Sequence, residues 1–520
     1  MRTFLPLLAA SLPLGPALAG ALAGGLRPSE AGRLACRASR LALVSAAAAS
    51  AWLCVSGGVA TARWSPIGDG SPFAVGVRFD ALSATLAVLV TFVGDAVMRF
   101  SRHYMSGDRR EAAFYRWLCL ALASVLSLVV SGNFLQLLAA WVATSVCLHR
   151  LLLHHGDRPG AVAAARKKFV FSRAGDLCLA AAAWLLYRAF GTLDFDRLFA
   201  GAAGARDLPL GAVGLLLVAG AALKSAQFPF HSWLPDTMET PTPVSAFMHA
   251  GIINAGGFLI IRMSPLMAVA GHSLEVLAVL GALTAAFGSV VMLAQASVKR
   301  SLAYSTIAQM GFMMLQCGLG AFGLAALHLV AHSLYKAHAF LRAGSTVGAA
   351  PRAAVALRTG AIAAGVVASV ALMAAAGRVG PGLHGPAGLF FAAVAGFGLA
   401  YGLSRAWSVA RGPGRALAAA AVAAAFAFGL PWLHAAAQAL GGDASYAPPR
   451  ALVAAAIAVF AVLFGFQSLL WRTPRTDLGR RLYVHALNGF YIGTFINRLL
   501  HRLWIEPAAP VAGEEVRHAG

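Results

Sequence analysis

Apolar residues run along this chain in blocks of about 20, the length a helix needs to cross a hydrocarbon core, separated by short polar or proline- and glycine-bearing joints. The blocks lie near 4–26, 41–62, 80–100, 113–131, 134–153, 168–189, 209–230, 243–262, 273–295, 301–320, 323–345, 357–377, 386–406, 414–438 and 450–471. They predict an all-α fold, a polytopic membrane helix bundle of about 15 transmembrane helices. The opening block continues past the small residues near Ala17 and Ala19, so it reads as a retained span rather than a cleaved signal. The stretch 482–504 mixes aromatics with histidine, arginine and asparagine, which predicts an amphipathic interfacial helix or a docking surface for a cytoplasmic partner.

Composition agrees with that pattern: 59 % of the 520 residues are hydrophobic and 12 % are charged. The net charge of +22 raises nucleic acid as a partner, but the basic residues collect in every second loop, which excludes it. Arg27, Arg33, Arg37 and Arg40 follow the first span, and Arg102, Arg109 and Arg110 the third. Arg150, Arg158, Arg166, Lys167 and Lys168 follow the fifth. Later groups include Arg342 and Arg352, Arg405 and Arg411, and Arg472 and Arg475. The positive-inside rule then places the N-terminus outside and the C-terminus in the cytoplasm. The six cysteines have no paired metal spacing, and no glycine pattern for a phosphate or dinucleotide is present. No cofactor or metal is therefore expected.

Against this apolar background stand Lys224, His249, Lys299, His328, His332 and Lys336. Ionisable groups within a membrane are costly and mark functional positions by default. The chain has five lysines against 36 arginines, and three of the five belong to this set. Lys167 and Lys168 read as an ordinary membrane-surface flank. Lys224 lies deep in an apolar segment that Pro229 and Pro235 then interrupt, and a proline removes a backbone donor and crowds the preceding turn. Asp176 is the best candidate carboxylate for Lys224; a permanent packing salt bridge is the plain alternative to proton exchange. Asp95 has Arg99 four residues on, a spacing that favours a local pair.

His328, His332 and Lys336 recur every fourth residue, which makes a helical stripe roughly 12 Å long. The stripe suits a proton relay. A zinc site or satisfied core histidines are the alternatives, although no carboxylate ligand lies nearby. Lys299 sits beside Arg300 and reads equally as a channel-mouth group or a surface anchor.

Six segments carry a family resemblance: FDALSATLAVLVTFVG at 79–94, HYMSGD at 103–108, SRAGD at 172–176, KSAQFPFHSWLPDTMETPTPVSAFMHA at 224–250, VKRSLAYSTIAQMGFM at 298–313 and HLVAHSLYKAHAFLRAGS at 328–345. They resemble the proton-conducting subunits shared by respiratory complex I and the multisubunit cation/proton antiporters. That resemblance implies inverted repeats with broken helices, and proton or cation path roles for Lys224, Asp176, His249, Lys299, His328, His332 and Lys336. Pro229 and Pro235 would mark the helix break. The implied organisation is N-terminal helices over 1–78, a conducting core over 79–350, Ala/Gly-rich helices over 351–472 and a cytoplasmic amphipathic tail over 473–520.

Two departures narrow it. Complex I subunits have a glutamate after the tryptophan of the fifth span, where this chain has Val142 after Trp141, and no lysine follows Lys336. With the ending YVHALNGFYIGTFINRL, the chain more closely resembles the DabB-type subunits of DAB inorganic-carbon accumulation systems. This resemblance implies a large cytoplasmic zinc-containing DabA-type partner, similar to a β-carbonic anhydrase, and a role in letting H+ or Na+ run down its gradient. A respiratory or antiporter subunit, and a non-conducting membrane anchor for a soluble enzyme, are the rival readings.

Overall fold

A computed structural model describes residues 4–65, 73–202, 204, 210–346, 358–380, 385–410, 412–441, 446–470 and 477–503. Arg352, Arg411, Arg472 and Arg475, and the chain beyond 503, lie outside the described residues. All of the apolar blocks become helical. Among the described residues, 12 helices are long and apolar enough to cross a membrane, from Phe4–Ala23 to Arg450–Gln467. The blocks outside that set are Leu210–Lys224, which breaks early, and Val298–Gly318 and Phe322–Leu341, which carry polar side chains. These exceptions hold much of the chemistry described below.

The second block ends sooner than its hydropathy suggests. Its helix, Pro28–Ser56, stops at Gly57 and Gly58, whose φ angles of +67° and +79° no helix can continue. The chain then forms an antiparallel hairpin of Ala60–Trp64 with Val75–Phe79, Ala60 facing Phe79 and Trp64 facing Val75. Isolated bridges tie Val77 to Ser131 and Asn133 to Asp194. On this face Asp80 caps the helix Ala81–Tyr104 by accepting from the Ser83 amide at 2.9 Å, and Arg262 closes an ion pair on it. At the other end of the same helix Asp95 pairs with Arg99 at 2.9 Å and accepts from Ser39 at 3.2 Å.

Thr242–Arg262 is buried along its whole membrane window and forms the axis of the bundle. Beside it, Gly271–Ala294 packs along Val298–Gly318 with the backbones almost touching. A methyl group on Gly281 would stand 2.4 Å from the Leu315 nitrogen, and one on Gly311 would stand 2.5 Å from the Ala285 nitrogen. Glycine is required there because neither neighbour is a side chain that can turn away.

The tail forms Asp477–Leu487, a turn at Gly489–Tyr491, and Ile492–Leu503. Both helices lie back on this chain's own core: Gln295 donates to the Leu487 carbonyl at 3.1 Å, and Phe490 meets Phe287 with ring centroids 6.1 Å apart. Ala486, Ile496 and Leu500 are buried. Val484, Phe495 and Leu499 stay exposed, so only part of the apolar side of the amphipathic pattern is covered within the chain. Gly311→Val should destabilise the protein by about 1–3 kcal/mol through overpacking, read as a lower midpoint of thermal unfolding in detergent, whereas Gly429→Val, with open space around it, should leave the midpoint unchanged.

Candidate ion path

The helix Leu210–Lys224 ends at Lys224, and the following residues run through Ala226, at φ +50°, to a turn at Phe230–Ser232 and the short helix Trp233–Asp236. The break thus begins at Lys224 itself; Pro229 and Pro235 lie inside the interruption rather than at its start. The next span is also interrupted, with Thr242–Ala250 and Ala255–Arg262 flanking a turn at Ile252–Asn254. His249 is the second-to-last residue of the first half-helix, Thr242–Ala250.

Irregular backbone at membrane depth needs partners from neighbouring elements. Ser225 donates to the Ile253 carbonyl at 2.6 Å, which joins the two breaks directly. Asn254 donates to the Ala250 carbonyl at 2.9 Å and to Ser333 Oγ at 2.8 Å, which joins the second break to the helix Phe322–Leu341. The amide of Phe228 donates to Thr284 Oγ1 at 3.0 Å.

Lys224 is 5 % exposed, yet its closest partners are not carboxylates. Its Nζ donates to Thr144 Oγ1 at 2.8 Å, Ser145 Oγ at 2.7 Å and the Trp141 carbonyl at 3.2 Å, and stands 4.6 Å from the centre of the Trp141 ring. Neutral acceptors and a cation–π contact thus occupy the surroundings of the lysine, and the residue that follows Trp141 is Val142, not a carboxylate. Asp176 is close enough to act on Lys224 and Lys168 electrostatically, but its direct ion pair is with Arg173, at 2.6 Å.

Lys167 and Lys168 are not surface flanks. Each is 3 % exposed. Lys168 donates at 2.8 Å to the carbonyl of Ser145, the residue whose Oγ also accepts from Lys224, and Lys167 donates to Asp236 at 2.8 Å. The helix Pro159–Phe190 runs 32 residues and begins well before the apolar block within it, so both lysines fall inside the helix and not at a surface edge. Their rarity was the available signal: every lysine here except Lys299 is buried. His231 is 1 % exposed, packs against Phe287 with ring centroids 4.5 Å apart and leaves Nδ1 without a partner.

The second half of the site lies where His249 meets Phe322–Leu341. Thr306 gives its only proton to the Leu302 carbonyl at 3.0 Å, so His249 Nδ1, 3.0 Å from Thr306 Oγ1, is the donor of that contact. His249 Nε2 is left buried and unpartnered, with the ring stacked on Phe340 at 4.3 Å. Lys336, fully buried, donates to the same Leu302 carbonyl at 3.2 Å. One oxygen therefore joins Lys336 to His249 through Thr306. His332 Nε2 is also buried and unpartnered, and its ring lies 6.2 Å from that of His328. His328 Nδ1 contacts Gln316 at 2.7 Å and Nε2 contacts Gln309 at 2.8 Å.

The structure thus brings together two groups: Lys168, Asp176 and Lys224, then His249, Lys336, His332 and His328. Lys299 stands apart from both, half-buried in the first turn of Val298–Gly318.

Comparison with known proteins accords with this architecture. Residues 131–379 match the family described as NADH:quinone oxidoreductase/Mrp antiporter, TM, and residues 64–115 match the NADH-ubiquinone oxidoreductase (complex I), chain 5 N-terminus. The probable inorganic carbon transporter subunit DabB2 of Halothiobacillus neapolitanus is 39 % identical over 452 residues, covering 83 % of this chain and 81 % of that one. The DabB subunit of Hydrogenovibrio crunogenus is 43 % identical over 52 % of this chain and 53 % of its own. NADH-quinone oxidoreductase subunit L of Mycobacterium tuberculosis is 39 % identical over 55 % of this chain and 46 % of its own. The chain spans about half the length of these last two relatives. The Mrp complex from Dietzia sp. DQ12-45-1b shares the fold, with a TM-score of 0.57, 23 % identity, and coverage of 98 % of this chain and 57 % of that chain. The archaeal membrane-bound sulfane sulfur reductase gives the same TM-score at 17 % identity over 94 % and 99 %. With its multi-pass bundle, broken central helices and match along most of DabB2, the chain belongs to the DabB-type inorganic carbon transporter subunits, within the membrane family shared by complex I and the Mrp antiporters.

Proposed function

We propose that this chain is the ion-conducting subunit of an energy-coupled inorganic-carbon uptake complex. In this reading H+ or Na+ passes along Lys224, Asp176, His249, Lys299, His328, His332 and Lys336, and its descent drives a large cytoplasmic zinc-containing DabA-type partner similar to carbonic anhydrase. The observation that carries the reading is the run of buried titratable groups beside two broken helices, joined by Ser145 to Lys168 at one end and by Leu302 and Thr306 to His249 and Lys336 at the other. A lipid-buried anchor has no use for such groups, since each ionisable side chain inside a membrane costs about 2.5–3.5 kcal/mol even by the mildest scale. A charge moving through the membrane releases about 2.3 kcal/mol per 100 mV, enough in small multiples to make hydration of carbon dioxide one-way.

In this reading the face bearing the tail lies in the cytoplasm and the N-terminus outside, which the alternate-loop arginines support. The 473–520 tail would then meet the partner with the polar side of its helices and with Val484, Phe495 and Leu499, which this chain leaves exposed. A redox-driven or antiporting subunit is the weaker alternative, because Val142 stands where that machinery has its glutamate and Lys336 is the last lysine.

In proteoliposomes containing the complete complex, Lys224→Ala and Lys336→Ala should each abolish cation flux and carbon uptake while the partner remains bound. Normal carbon uptake in both variants, with the partner still bound, would support the anchor reading instead. The hydroxyl cage has its own test. The double variant Thr144→Val/Ser145→Ala removes two hydrogen bonds to a charged group, each worth about 1.5–3 kcal/mol, so thermal stability in detergent should fall. Adding Lys224→Met to that variant should restore most of the loss, because no buried ammonium is then left short of acceptors.

A further inference from the structure

Where the tail crosses the core it roofs a polar cavity of about 460 Å³. The core side presents the start of the helix Val298–Gly318, a 21-residue helix whose N-cap, Ser297, makes no side-chain cap. The first-turn amides are therefore open to a ligand, at the end of the helix that carries partial positive charge. Arg300 in that turn and Lys167, 3 % exposed, both line the cavity. The acidic residue on the wall, Asp236, is already held by Lys167 at 2.8 Å, so the surplus charge is positive.

A second observation is independent of the helix end. Ser232, on the opposite wall, is 4 % exposed and its Oγ has no partner in the structure. Its Cβ lies 3.4 Å from where a methyl on Gly493 would stand, so Ser232 packs directly against the tail at the wall of the cavity. The tail contributes Asn488, Thr494 and Asn497, all able to donate. Donors converge from both sides on a space with one surplus positive charge, whereas a cation would meet Arg300 and a helix N-terminus.

We propose that this cavity binds a small oxyanion of the bicarbonate or phosphate class, held by Arg300, Ser232 and the first-turn amides of Val298–Gly318, and that the bound anion clips the tail helix onto the core. The site goes beyond the conduction reading and stands without it. Bicarbonate would make it a sensor of the accumulated product; phosphate would make it a structural anion site.

The test uses the full chain in lipid nanodiscs, titrated with sodium bicarbonate, sodium phosphate or sodium chloride at fixed pH and ionic strength. Binding is read by thermal shift, and by hydrogen exchange of residues 477–503. Bicarbonate or phosphate should raise the unfolding midpoint and slow exchange in the tail, and the salt that acts at lower concentration identifies the source. R300Q should weaken that response about tenfold, the loss expected for one charge-assisted hydrogen bond. S232A should weaken it less, and R300K should retain part of it. Because Arg300 is exposed, R300Q without anion should melt as the parent does. An equal response to chloride, no response to either oxyanion, or a response unchanged in both R300Q and S232A would overturn the proposal.

Discussion

An ammonium group surrounded by hydrocarbon has to find its compensation within the protein, and at Lys224 that requirement shapes everything around it. Removing such a charge from water costs several kcal/mol even after relaxation, and no carboxylate stands against it. The compensation is distributed: two hydroxyls, one carbonyl and the face of Trp141 surround Nζ. The helix Leu210–Lys224 adds to it by ending there, which sets the lysine at the end carrying partial negative charge. His249 occupies the same place in its own half-helix, Thr242–Ala250. The two breaks are thus a means of bringing negative helix ends to buried bases, and the price is a set of freed backbone groups that Ser225, Asn254 and Thr284 must satisfy. Those serines, threonines and asparagines belong to the site as much as the lysines do.

Much of this was legible in the sequence because membranes impose a simple code. Each apolar block became helical, and the buried bases stood out against so little charge. The errors share one cause, which is that hydropathy reports where a segment is apolar and not where its helix ends. Residues 57–62 read as the end of a span, but the positive φ of Gly57 and Gly58 turned the chain into a hairpin. Lys167 and Lys168 read as a flank, but their helix starts eight residues before Lys167 and packs both inward. The pairing of Asp176 was beyond reach for another reason. Three cations compete for it, and three-dimensional placement gives the direct contact to Arg173. The partners of the bases were equally hidden: Thr144, Ser145, Thr306, Gln309 and Gln316 are ordinary polar residues until the fold sets them against a lysine or a histidine.

The glycine contacts bear on the same problem from the packing side. With Gly281 and Gly311 at the crossing of Gly271–Ala294 and Val298–Gly318, the helices approach until backbone meets backbone. Val298–Gly318 carries Thr306, Gln309 and Gln316, which serve His249 and His328. Close packing on its other side therefore fixes the positions of those polar groups. A side chain that must present a single oxygen to a buried imidazole depends on a helix that cannot slide, and glycine at the crossing supplies that rigidity.

The nature of these partners distinguishes this path from one built on ion pairs. A carboxylate can accept from a charged lysine, but it has nothing to donate when the lysine loses its proton, so an ion-paired base changes state only if its partner moves or is itself neutralised. A hydroxyl both donates and accepts and turns about one bond, and a glutamine amide can present either oxygen or nitrogen. Lys224 faces Thr144 and Ser145, His249 faces Thr306, and His328 lies between Gln309 and Gln316. Each base can therefore exchange a proton without leaving an uncompensated buried carboxylate. With such partners the path needs no large switch to step forward, and it holds little means of storing energy between steps. In the proposed reading, that combination would suit a subunit whose cation flow is used by another protein, with Val142 rather than a carboxylate following Trp141.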